Sequence, residues 1–145
     1  MIRFLFFMLS GSICLPFAAT QSTDPILHHI DLHATEYAEV AQQIWEFAEL
    51  GYQEEKSSSL LQSTLIDAGF RIAPGVAGMP TAFIAESGSG EPVITILGEF
   101  DALPGLSQVA APEQKAIVEG APGHACGHHL FGVGSAAAAI AVAEW

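Results

Sequence analysis

Between Ile26 and Leu50 apolar side chains recur at helical intervals (Ile30, Tyr37, Val40, Ile44, Phe47, Ala48), and Gly51 stands where a helix would stop. A second helical pattern runs from Glu54 to Ala68, with Leu60, Leu61, Leu65 and Ile66 inward and Gly69 closing it. The period then changes. Phe70–Ala73 and Thr81–Ala85 read as short strands, and Ser87–Gly90 as a hairpin-type turn. Pro92–Gly98 (PVITILG) is a continuous apolar run, the pattern of a strand covered on both faces. A polar, Pro- and Ala-containing loop, Leu103–Gly123, leads through GHACGHH to a last helix, Leu130–Trp145. Helices, strands, loop and helix in this order predict an α/β architecture, with loops after central strands as functional positions.

Both ends depart from this pattern. Arg3 followed by the apolar stretch Phe4–Phe17 and the small residues Ala18, Ala19 and Thr20 has the order of an export signal. The stretch is shorter than the roughly 20 residues that span a bilayer. The expectation is therefore a signal peptide over residues 1–20, a periplasmic or secreted mature chain, and no permanent membrane span. Cys14 leaves with the signal, and Cys126 remains as the only cysteine. At the other end, Leu130–Trp145 is apolar around most of its circumference and carries neither a Gly or Asn cap nor a cationic last turn. It is expected to be buried on several sides, and the chain to stop partway through a larger domain.

Composition narrows the function. With 16 Asp/Glu against 4 Lys/Arg, a net charge of −12 excludes nucleic acid and anionic lipid as partners, since both need clustered cations. A hydrophobic content of 50% over 145 residues is too high for a disordered chain.

The densest set of metal-ligand side chains is His124-Ala-Cys126-Gly-His128-His129. Thiolate and imidazole are preferred donors to Zn²⁺. On a helix, Cys126 and His128 would point about 200° apart; on an extended or turning segment they fall on one side, and Gly123 and Gly127 suit such a turn. In an oxidising compartment an unpaired thiol also calls for an occupant. The second candidate is Gly98-Glu-Phe-Asp-Ala-Leu-Pro104, where Glu99 and Asp101 alternate with Phe100 and can face one way as the strand ends. Such carboxylates ligate a metal, orient a metal-bound histidine or tune a catalytic water; the plain alternative is a solvated strand end before a Pro turn. Glu46, Glu49, Glu54 and Glu55 read as a solvated acidic face, and His28, His29 and His33 as exposed and idle.

The blocks GEFDALPGLSQ and EGAPGHACGHHLFGVGS, the Ala-rich helix ending in EW, and the upstream WEFAELGYQEEKSSSLLQSTLIDAGF resemble the dinuclear-zinc amidohydrolases. That family includes hippurate hydrolases, auxin-conjugate hydrolases and glutamate carboxypeptidases, and the nearest branch is that of the aminobenzoyl-glutamate hydrolase-like proteins. The resemblance spans Ile26–Trp145. It implies a partial zinc-peptidase-like α/β catalytic domain over residues 21–145, with the dimerisation domain absent. It further implies two divalent metals, Zn²⁺ with Mn²⁺ or Co²⁺ as substitutes, with Cys126 and His128 as metal ligands and Asp101 as an active-site aspartate. Glu99 falls where relatives place a metal-binding His, and His129 where many have Asp or Asn; His124 matches the first His of the motif, which is not counted as a ligand. The implied reaction is hydrolysis of an amide in an N-acyl amino acid, dipeptide or aminobenzoyl-glutamate-like small molecule by metal-activated water, with a glutamate base. That glutamate and the remaining ligands are expected beyond Trp145, so that this chain alone is inactive. Two other readings stay open from the residues: an exported, non-enzymatic metal-binding or scaffold protein, and a redox role for Cys126.

Overall fold

A computed structural model describes residues 23–145, and the export signal expected over residues 1–20 lies outside the described residues. Four α-helices and a two-stranded antiparallel sheet make up an α/β fold: α1 (Asp24–Leu32), α2 (Ala34–Phe47), α3 (Glu55–Asp67), β1 (Arg71–Pro74), β2 (Phe83–Glu86) and α4 (His128–Glu144). No helix among the described residues is long and apolar enough to cross a membrane.

The first helical pattern resolves into two helices. Pro25 in the first turn of α1 takes a position whose backbone N–H has no helical partner. The break falls at His33, whose φ of −102° and ψ of 9° leave the helical region. α2 ends at Ala48, which adopts the left-handed conformation itself, three residues before the expected Gly51. α3 starts where expected, and its first amides find a partner at a distance. The Glu49 carboxylate accepts from the backbone N–H of Lys56 (3.0 Å) and Ser57 (2.8 Å) and from the Ser57 hydroxyl. α3 closes through Gly69 at φ 84°, with Gly69 N–H donating to Ile66 and Phe70 N–H to Leu65, the paired bonds of a Schellman stop.

The core is the meeting of three helices. Val40, Ala41 and Ile44 of α2, Leu61 and Leu65 of α3, and Val133, Ala136 and Ile140 of α4 are buried together. Phe70, Ile72, Phe83, Ala85 and Phe100 close it from the sheet side. α4 buries one stripe, Gly132, Val133, Ala136, Ala137, Ile140 and Ala141, while Leu130 and Phe131 face outward. Burial on several sides was the expectation; a helix apolar all round buries only the side that meets a neighbour. α1 buries no residue fully and is held by polar contacts. His29 lies 2.7 Å through Nδ1 from Glu144 of α4 and 2.9 Å through Nε2 from the Tyr37 hydroxyl of α2.

Two strand expectations change. β1 and β2 pair in register from Arg71↔Glu86 to Pro74↔Phe83, joined by residues 75–82, so the turn at Ser87–Gly90 follows the hairpin instead of making it. Pro92–Gly98 belongs to no sheet. Val93, Ile94 and Leu97 are exposed, and the bond on its backbone is that from the Ser135 hydroxyl of α4 to Leu97 C=O (2.7 Å). A strand needs a neighbour as well as β-forming side chains, and β1 and β2 pair with each other and not with this run.

Candidate metal centre

The segment after this run is pinned on two sides. Ala102 N–H donates to Glu49 C=O (2.7 Å), making a parallel bridge with Leu50. On the other side the chain presses on α4 at Gly132, where an added Cβ would stand 2.9 Å from Glu99 C=O and 3.1 Å from the Phe100 Cβ. Phe100 turns toward the core and stacks 6.1 Å from Phe83. Alternation then sends Glu99 and Asp101 to the opposite side, where α4 begins.

α4 starts at His128 because Gly127, at φ 79° in the left-handed region, reverses the chain after His124. Gly127 N–H donates to His124 C=O, and the Gly127 carbonyl accepts from Leu130 and Phe131. The turn sets His128 beside the two carboxylates. Its Nδ1 is 2.8 Å from Asp101 Oδ1, in a hydrogen bond, and its Nε2 is 3.1 Å from Glu99 Oε2. With Asp101 accepting, Nδ1 carries the hydrogen, and Nε2 faces the Glu99 carboxylate, across which either a hydrogen on Nε2 or a cation would be shared. One donor atom from each of Glu99, Asp101 and His128 lies within 4.8 Å of the others. Imidazole and carboxylate donors, with a carboxylate fixing the ring's tautomer, fit a divalent metal.

Of the three residues singled out for the site, Asp101 and His128 are therefore in contact. Cys126 is exposed on the turn before Gly127 and stands outside the Glu99–Asp101–His128 group. Glu99 joins the group, and its alternation with Asp101 was the signal for it.

Behind the triad sit the other two histidines of the motif. His124 is buried, and its Nε2–H donates to Ile44 C=O (3.1 Å), which leaves Nδ1 a lone pair without a partner among the described residues. The His129 Nδ1 is likewise buried and unpartnered, and the two rings lie 4.9 Å apart. Burial pushes the His124 imidazole below its ordinary value; the Ile44 bond opposes this, His128 adds to it and Asp101 opposes it. Burial, and then His124, push His129 the same way.

Three residues read as idle or solvated have structural partners. Glu49 caps α3, Glu54 is buried and accepts from the Thr81 hydroxyl (2.7 Å), and His29 bridges three helices. For Glu54, an acidic residue immediately before the helix start was the available signal; Glu49, several residues upstream, gave none.

Fold and triad together define an α/β chain carrying a carboxylate–histidine group of the kind that can hold a metal ion. No protein-family model matches the chain. Over 117 residues it is 45% identical to one subunit of the p-aminobenzoyl-glutamate hydrolase of Escherichia coli (strain K12), covering 80% of this chain and 24% of that protein. Over 111 residues it is 31% identical to YhaA of Bacillus subtilis (strain 168), whose name classes it with the amidohydrolases, covering 75% of this chain and 26% of the other. Over three quarters or more of its length the chain is thus similar to proteins named as amidohydrolases, and it spans about a quarter of the length of the curated relatives it matches.

Proposed function

We propose that residues 21–145 are the N-terminal part of the catalytic domain of a metal-dependent amidohydrolase acting on an N-acyl amino acid, dipeptide or p-aminobenzoyl-glutamate-like amide. The observation that carries this is the His128 ring, tied at Nδ1 to Asp101 and facing Glu99 with Nε2. Its support outside the structure is the name of the relative that is 45% identical.

His128 Nε2 and Glu99 would hold the metal, with Cys126, at the other end of the Gly127 turn, as a further donor. Zn²⁺ suits that mixed set, and when bound it supplies a Lewis acid that polarises a carbonyl and acidifies water. Asp101 acts through His128: it keeps the hydrogen on Nδ1 and holds the ring plane toward the metal. Gly132 contributes by letting the Glu99 backbone lie against the helix that carries His128. Two or three donors do not complete a catalytic site, so the 145-residue chain alone is proposed to be inactive and to bind zinc weakly. The pattern of residues 1–20 supports export to the periplasm or beyond, which the N-terminal sequence of the mature protein tests.

The function is tested on the product of the whole reading frame, loaded with Zn²⁺ or Mn²⁺ and supplied with p-aminobenzoyl-glutamate. Release of p-aminobenzoate is expected, abolished by chelator and lowered at least about 100-fold in H128A. Turnover indifferent to chelator or to H128A would overturn the reading. The 145-residue chain in the same assay is expected to give none.

A further inference from the structure

Glu99 sits between two anchors. Downstream, Ala102 N–H donates to Glu49 C=O (2.7 Å). Upstream, residues 92–98 join no sheet, and the hydrogen bond that fixes them among the described residues comes from the Ser135 hydroxyl of α4, which donates to Leu97 C=O (2.7 Å). The approach at this upstream anchor is close. A Cβ added at Gly98 would stand 3.1 Å from the Ser135 Cβ and 3.5 Å from the Gly132 Cα.

Along α4, His128, Gly132 and Ser135 stand at i, i+4 and i+7, on one face of the helix. Residues 101, 99 and 97 meet them in reverse chain order. Asp101 bonds His128, the Glu99 carbonyl lies on Gly132, and the Leu97 carbonyl takes the Ser135 hydroxyl. The spans are close: seven helical residues rise about 10.5 Å and four extended residues about 13 Å. The segment 97–101 therefore runs antiparallel along α4 in one register, and that register decides the chemistry. A slip of one residue turns Glu99 and Asp101 to the side that Phe100 occupies. A slip of two carries each carboxylate about 6.6 Å along the helix, away from its place beside His128.

We propose that Ser135 is a positioning residue of the metal centre: by holding Leu97 C=O, its hydroxyl sets the register that places Glu99 opposite His128 Nε2. Ser135 lies two turns from His128, about 10.5 Å along the axis, and so acts through Glu99 and not on the metal. Asp101 is anchored through Ala102 and keeps its bond to His128 without Ser135, so loss of the hydroxyl frees the Glu99 half of the site alone. The inference rests on the metal-dependent hydrolase reading.

Two measurements on the product of the whole reading frame test it. The first reads the register in chelator-stripped protein. Disulfide-linked Cβ atoms stand about 3.5–4.5 Å apart, so Gly98→Cys/Ser135→Cys is expected to cross-link on oxidation after a small opening from 3.1 Å, as read by peptide mapping. Ile96→Cys/Ser135→Cys, one strand repeat away on the same side, is expected not to. The second reads Zn²⁺ affinity by competition with a chromophoric chelator. Ser135→Ala should weaken binding about tenfold in the wild-type background, but less than about twofold beside Glu99→Gln, where the ligand it places is already gone. The oxidised G98C/S135C protein should bind within about threefold of wild type, its cross-link standing in for the hydrogen bond. Equal cross-linking of the two cysteine pairs, affinity unchanged in S135A, or an oxidised pair no tighter than S135A would overturn the inference. So would the same loss in both backgrounds, which is the mark of a merely structural serine. If S135A does not fold, the cross-link contrast decides alone. Wild-type protein that takes up no Zn²⁺, with only the 98–135 pair cross-linking, would sink the metal reading and leave the register standing. Zinc held equally by wild type and S135A would sink this inference alone.

Discussion

Asp101 and His128 are 27 positions apart along the chain and 2.8 Å apart in space, and each arrives by a local device. Alternation past Phe100 delivers the aspartate, and the left-handed Gly127 delivers the histidine at the first position of α4. Both devices are legible in the residues, as is the shared side of Glu99. The burial of His124 is not, because its ring is held on Ile44, 80 positions away. That burial has a consequence in solution. Unfolded, the imidazoles of His124 and His129 take up protons near pH 6.5; folded, both are pushed lower and stay neutral just below that pH. The unfolded state then binds more protons, so stability is full above about pH 6.5 and falls as the pH drops through the folded values. Urea midpoints measured with chelator present should decline from pH 7.5 to pH 5. In a His124→Asn/His129→Asn double variant that decline should be shallower, and equal slopes would refute the assignment.

The acidic pattern around the first loop looks uniform along the chain and is divided in the structure. Glu46 is exposed and bonds Gln42 within α2, while Glu49 satisfies two opening amides of α3 with one carboxylate. Capping plus the favourable placement of a negative charge at a helix N-terminus makes Glu49→Ala cost about 1–2 kcal/mol. Glu46→Ala, on a solvated face, should stay within about 0.5 kcal/mol. Denaturant unfolding of the two variants distinguishes them, and equal losses would show that Glu49 is no cap. Helices were legible here from periodicity, with ends shifted by a few residues at Ala48 and His33. Which side chains serve those ends was not, since Glu49 acts on residues seven and eight positions ahead. His29 shows the same gap: on its own helix it is one exposed-looking imidazole among three, and its partners lie on α2 and α4.

At the scale of the whole molecule the apolar run Pro92–Gly98 stands apart from the core it resembles in composition. Its side chains are those of a covered strand, yet Val93 and Leu97 are 73% and 72% exposed and its backbone is unladdered on both edges. A run of this kind, without an internal charge or a Pro beyond its first residue, is a template for pairing with another chain. Net charge opposes it: the full chain carries −12 and the chain without Arg3 one more negative charge, so copies repel one another over the range of the Debye length, which shrinks from about 10 Å at 0.1 M salt to about 3 Å at 1 M. The balance predicts that self-association of the chain from Gln21 onward grows with salt, because screening removes the repulsion and leaves the apolar pairing. Sedimentation velocity across that salt range should show the sedimenting mass rising in the wild type. Ile94→Lys, which puts a charge inside the run, should hold the chain monomeric, whereas Ile66→Lys, at a comparably exposed site on α3, should not. Equal behaviour of the two variants, or association that weakens with salt, would mean that the run is not the adhesive surface.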